Sequence, residues 1–134
     1  MINHITLLVS RLDVSKKFYT QALQSLGYRA VVERPEHFIG FATKDVAGQR
    51  DFWLKQVAID KAGRVEQKTS SGLHFAFTAD NKQQVEDFYA AGLSGGGIDN
   101  GSPGYRPQYH AGYYAAFVLD PDGNNVEAVF EGSA

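Results

Sequence analysis

The sequence predicts an α+β protein built from two tandem βαβββ modules, whose strands form an open, incomplete mixed β-barrel around a concave cavity. Three observations predict it. The chain repeats itself at an offset of seventy residues: His4 falls on His74, Phe18-Tyr19 on Phe88-Tyr89, and Leu23 on Leu93. Each copy opens with an alternating strand pattern, Ile5, Leu7 and Val9 in the first and Leu73, Phe75 and Phe77 in the second. Each copy then continues into an amphipathic helix that a glycine closes.

The elements follow in order. Residues 3–9 alternate, with His4, Thr6 and Leu8 on the face opposite the apolar residues. Asp13 is placed to cap a helix whose apolar residues are Val14, Phe18, Ala22 and Leu26, and Gly27 ends it. Strand-like runs follow at about 28–33, 37–43 and 51–57. The polar segment "IDKAGRVEQKTSS" at 59–71 links module one (1–58) to module two (72–134) within one domain. Residues 73–78 restart the pattern, Asp80 with Gln83 resembles a capping box, Val85, Phe88 and Tyr89 face inward, and Gly92 stops the helix. The Gly-rich stretch "LSGGGIDNGSPGYRPQYHAG" reads as loop, and its "GLSGGG" lacks the strand-then-helix context of a phosphate loop. Strands at 113–119 and 125–130 close the chain, the last entered through the tight turn "PDGN".

Composition narrows the function classes. The 134 residues are 43% hydrophobic and 13% aromatic, so the chain folds around a real core. Net charge is −2 and no long basic run appears, which argues against nucleic acid as a partner. No apolar stretch is long enough to span a membrane. The opening residues lack a signal-peptide pattern, and a cytoplasmic location is expected. There is no cysteine, so thiolate metal sites and cysteine nucleophiles are out.

A histidine within an apolar strand costs desolvation unless it has a partner. The repeat puts His4 and His74 on equivalent strands, on the face the helices do not cover. On the last strand, Val126, Ala128 and Phe130 make one face and Glu127 lies on the other. Two imidazoles and a carboxylate make a set of donors for Zn, Ni, Mn, Co or Fe(II), with positions left for water or substrate.

These features together resemble the vicinal oxygen chelate superfamily, which includes glyoxalase I, extradiol dioxygenases, fosfomycin-resistance proteins and bleomycin-resistance binding proteins. The resemblance rests on "NHITLLVSRLDVSKKFY", "GLHFAFTADNKQQVEDFY" and "YYAAFVLDPDGNNVEAV", and it covers nearly the whole chain. It implies that His4, His74 and Glu127 hold a divalent metal and that the protein is a homodimer. Glyoxalase I-like members usually add a Glu or His on the last strand of the first module. Aligning Gly48 with Gly123 sets Phe52 opposite Glu127, with Trp53 next, and neither binds a metal. Gln56 is out of register. A two-His, one-carboxylate set is closer to the extradiol dioxygenases.

The loop "GYRPQYHAGYY" supplies Tyr105, Arg106, Tyr109 and Tyr114, which with Phe52 and Trp53 are the candidate ligand pocket. Packing over the cavity mouth or in a dimer surface is the alternative for the loop. Arg106 either pairs with a substrate anion or is solvated. His110 and Tyr113 are the candidate acid–base residues. His37 is assigned no role. The expected function is a metal-dependent glyoxalase- or dioxygenase-like protein acting on a small oxygenated organic substrate. The alternative is a metal-free protein that binds and sequesters a small molecule.

Overall fold

A computed structural model of the chain describes residues 1–43 and 49–132. Module 1 runs β1 (Ile5–Val9), α1 (Leu12–Gln24), β2 (Tyr28–Arg34), β3 (Phe38–Thr43) and β4 (Phe52–Gln56). Module 2 runs β5 (His74–Thr78), α2 (Lys82–Ser94), β6 (Ile98–Tyr105), β7 (Tyr113–Leu119) and β8 (Asn125–Glu131). Each module is a four-stranded mixed sheet, ordered β1-β4-β3-β2 and β5-β8-β7-β6, and the two sheets do not close into a barrel. In both, the first strand runs parallel to the last and the other pairs are antiparallel. The βαβββ repeat is therefore present in full.

One core serves both modules. The inward side chains of β1 and β4, Leu7, Val9, Phe52 and Leu54, pack with Phe18, Tyr19 and Leu23 of α1. They continue into Phe77, Val85, Phe88, Val118 and Val126 of module 2. Strand alternation then dedicates the opposite face of each sheet, the open face, to other side chains.

Polar contacts seal the junction. Ser70 and Leu8 exchange two hydrogen bonds, from Ser70 N to Leu8 O at 2.7 Å and from Leu8 N to Ser70 Oγ at 2.9 Å. The Ser10 hydroxyl donates to Asp122 at 2.5 Å. The buried Tyr19 hydroxyl of α1 donates to Asp120 at 2.5 Å, and Asp120 also accepts from Asn124 N, Asn124 Nδ2 and Asp122 N. The Asp120–Asn124 turn is thus a clamp between modules as well as a reversal of the chain. Burial, and after it the charge of Asp120, holds the Tyr19 phenol well above its ordinary titration range.

Several local expectations are corrected. Asp13 does not cap α1: Arg11 occupies the N-cap without a side-chain bond, and Leu12 N is instead satisfied by Gln56 Oε1 at 2.8 Å. In α2 the cap is Asn81, whose side chain accepts from Gln84 N, while Gln84 reaches back to Asp80 N. The capping box therefore lies one residue later than Asp80 and Gln83. Gly92 lies inside α2, facing Val118 and Phe18, and the helix ends at Ser94. The stretch 98–105, read as loop, is strand β6; its ladder to β7 is interrupted twice, near Gly101.

Candidate metal and ligand site

Glu127 is the centre of the open face of module 2. It is only 2% exposed, on β8 between Ala76 of β5 and Phe117 of β7. A carboxylate buried to that degree needs donors. His74 supplies one, its Nε2 standing 2.9 Å from Glu127 Oε2. Tyr113 supplies the other through its hydroxyl to Glu127 Oε1. Burial first, then the bond to Glu127, raises the Tyr113 phenol well above its ordinary range, so it stays protonated and donating. The His74 side chain remains half exposed, against the ring of Phe117.

A second histidine–carboxylate pair borders this site. His110 Nε2 lies 3.0 Å from Glu131 Oε1, and its Nδ1 lies 2.9 Å from the Ala111 carbonyl. With an acceptor before each nitrogen, the doubly protonated ring is favoured, and the pKa of His110 is raised, first by the Ala111 carbonyl and then by Glu131. The His110 ring meets Tyr113 edge-on at 5.1 Å. Tyr109 packs on Tyr113 in the same way.

The expected metal set comes together only in part. His74 and Glu127 meet. His4 stands just before β1, exposed, with its Nδ1 2.9 Å from Asn3 Oδ1. Among the described residues of one chain, no group of three His, Cys, Asp or Glu side chains is arranged to hold a metal. The reason is topological. His4 and His74 stand at equivalent places in two separate sheets, and that equivalence does not bring them together within one chain.

The expected pocket residues also divide. Phe52 is buried on the helix side of β4, packed on Tyr19 and Phe77, so it does not line the open face. Tyr114, on the opposite side of β7 from Tyr113, donates to Glu86 of α2. It pairs there with Tyr105, whose ring lies beneath Lys82. Both tyrosines thus belong to the helix side. Trp53 and Arg106 do reach open faces. The Arg106 guanidinium lies 5.4 Å from the Phe117 ring centre and donates to Ser102 O.

On module 1 the open face is a cavity of about 530 Å³, lined by Thr6, Val32, Phe38, Arg50, Trp53 and Lys55. Phe38 and Lys55 lie outside the residues that the sequence motifs mark. The alternation of "FWLKQ" carries the signal, because it puts Lys55 on the same side as Trp53.

The register corrects one alignment. Thr6 pairs with Trp53 in module 1, and Ala76 pairs with Glu127 in module 2. Since Thr6 and Ala76 are repeat equivalents, Trp53 is the counterpart of Glu127, and Phe52 is not. Gly48, the residue on which the other alignment turned, lies outside the described residues.

Paired βαβββ modules, with a histidine–carboxylate pair on one open face and an aromatic cavity on the other, define the fold class. The chain belongs to the Glyoxalase/Bleomycin resistance protein/Dioxygenase superfamily, whose family model matches residues 1–128. It is similar to the crystal structure of a glyoxalase/bleomycin resistance protein from Albidiferax ferrireducens T118, with 28% identity, a TM-score of 0.75, and 97% of this chain and 98% of that one covered. A lactoylglutathione lyase from Agrobacterium tumefaciens shares the fold, at 22% identity and a TM-score of 0.62, over 97% and 92% of the two chains. So does a glyoxalase/bleomycin resistance protein/dioxygenase family enzyme from Burkholderia phytofirmans PsJN, at 18% identity and a TM-score of 0.69, over 98% of each chain. No curated protein matches the sequence significantly. Among the described residues no helix is long and apolar enough to cross a membrane.

Proposed function

We propose that the protein is a metal-dependent, glyoxalase- or dioxygenase-like enzyme for a small oxygenated organic substrate. In this reading His74 and Glu127 of one protomer hold a divalent metal together with His4 of a second copy. The observation that carries it is Glu127, buried and held at 2.9 Å by His74 on an open sheet face. Imidazole nitrogen and carboxylate oxygen suit Zn, Ni, Mn and Fe(II), and a bond from Tyr113 to the carboxylate is the outer support such ligands receive. The third donor follows from the repeat. His4 stands in module 1 where His74 stands in module 2, and a homodimer is the simplest assembly that brings the two together.

When bound, the metal polarises the substrate oxygens as a Lewis acid. The chain's own residues do the rest. Tyr113 donates to Glu127 Oε1 and fixes the carboxylate's rotation. His110, whose ring nitrogens both face acceptors, is the candidate proton donor at the rim. Trp53 and Phe38 form an apolar wall that excludes water, and Arg106 adds positive charge above Phe117.

One observation favours a second reading. Tyr113 and His74 already satisfy both oxygens of Glu127. A carboxylate so occupied is stable without metal, and the protein would then bind a small molecule without transforming it.

Elemental mass spectrometry of the purified protein separates the two. The first reading expects near-stoichiometric metal, lost in His4→Ala, His74→Ala and Glu127→Ala. Mixed dimers of His4→Ala with Glu127→Ala chains rebuild one of two sites and should recover about half the wild-type load. A wild-type protein without metal after reconstitution turns the assignment to the binding reading. Full metal in His4→Ala removes the shared site.

A further inference from the structure

The open face of module 1 is built around the chain's only tryptophan. Trp53 lies across from Gly40 in the β3–β4 ladder. A Cβ on Gly40 would come within 2.9 Å of the indole ring and 2.8 Å of Val32 Cγ1. Glycine at this position therefore lets the six-membered ring of the indole come close to the β3 backbone. The ring's rotation is set as well, since its Nε1 donates to Arg50 O at 3.0 Å. Phe38 walls the indole, tilted at 60° with ring centres 6.0 Å apart. Trp53 lines the cavity of about 530 Å³.

The described charged side chains around this platform are cationic. Lys55 lies two residues along β4 on the same face, opposite Phe38, and Arg50 also lines the cavity. Among the described residues no acidic side chain lines it. A flat, fixed π surface favours a planar ring, and an ammonium at its side favours an anion.

We propose that the open face of module 1 takes a planar aromatic carboxylate, its ring stacked on Trp53 and its carboxylate on Lys55. This names the substrate class of the proposed site and rests on that reading for the cavity, but stacking needs no metal. The two are therefore separable: metal content is measured as above, and ring binding is measured on protein treated with a chelator.

The single tryptophan gives one indole N–H resonance, a direct probe of the platform in isotope-labelled protein. The probes are naphthoate, the neutral naphthylmethanol and the non-planar cyclohexanecarboxylate. Naphthoate is expected to shift the indole signal saturably. Each of the other two should bind at least about tenfold more weakly, the scale of one lost charge-assisted or stacking contact. Lys55→Gln should abolish the preference for naphthoate over the alcohol while the rest of the spectrum stays folded. Gly40→Ala should weaken both aromatic probes. Equal binding of naphthoate and the alcohol, or no indole shift with either, overturns the proposal.

Discussion

Where module 2 carries Glu127, module 1 carries Trp53, and the neighbouring positions differ in a matching way. Across the ladder, Trp53 faces Gly40 and Glu127 faces Phe117. One strand further out, Gly40 faces Val32 while Phe117 faces Gly101. Each open face thus holds one large ring with a glycine beside it, and the ring and the glycine have moved over by one strand between modules. A Cβ on Gly101 would stand 2.9 Å from Phe117, the same approach that Gly40 makes to Trp53. The difference teaches that a repeated backbone can keep its packing rule and still divide its chemistry. One face presents a carboxylate and an imidazole, and the other presents rings and a cation.

The comparison breaks most severely at the element the modules share. Asp120 is 4% exposed and accepts from the fully buried Tyr19 hydroxyl and from Asn124, itself 1% exposed. Asp120→Ala strands those donors, and an unpaired buried donor costs about 1–3 kcal/mol. The expected loss is about 2–5 kcal/mol, read as a lower urea midpoint with an unchanged slope. Because Tyr19 belongs to module 1, both modules should unfold together. Two separate transitions would show that the modules are independent units joined loosely. Tyr19→Phe leaves Asp120 its other donors and should cost only about 1 kcal/mol.

The exchange of ring and glycine is sharpened by filling each gap. Gly40→Ala should cost about 1–3 kcal/mol, the range for an added methyl in a packed site, and displace the indole resonance. Gly101→Ala meets Phe117 and also a φ of +149°, which an L side chain rarely adopts, so it should cost more. If both are neutral in thermal unfolding, the rings are not seated on glycine and the reciprocity is accidental.

Much of this architecture is legible in the sequence, because alternation with a repeated histidine and aromatic pair specifies each strand's faces. Strand β6 is not. "IDNGSPGY" has two glycines and a proline, and its pairing comes from the tertiary partner β7, not from local propensity. The meeting of His74 with Glu127 also follows from alternation, since first and last strands of a module are neighbours. What alternation cannot encode is how one module sits against the other. Repeat equivalence sets His4 and His74 on matching strands, and it does not set them side by side within one chain. The identity of Glu127's counterpart was hidden by loops: aligning turn glycines misplaces a strand by one residue, and that flips Phe52 and Trp53 between faces.

The smallest effect tests a difference in loop length. Between its second and third strands, module 1 has three residues, 35–37, and module 2 has seven, 106–112. The longer loop carries His110 back to Glu131. Its pKa should lie above 6.5, because both ring nitrogens face acceptors. Glu131→Gln should lower it only partway, since the Ala111 carbonyl, the first of its causes, remains. The sign of the linkage follows. A raised folded pKa means the protonated ring favours the folded state, fully so below 6.5, and the contribution fades as pH rises through the folded value. Wild type should thus outlast Glu131→Gln in mildly acidic buffer and match it in alkaline buffer. A histidine proton titration showing no difference between the two proteins would leave the longer loop without an electrostatic reason for reaching the site.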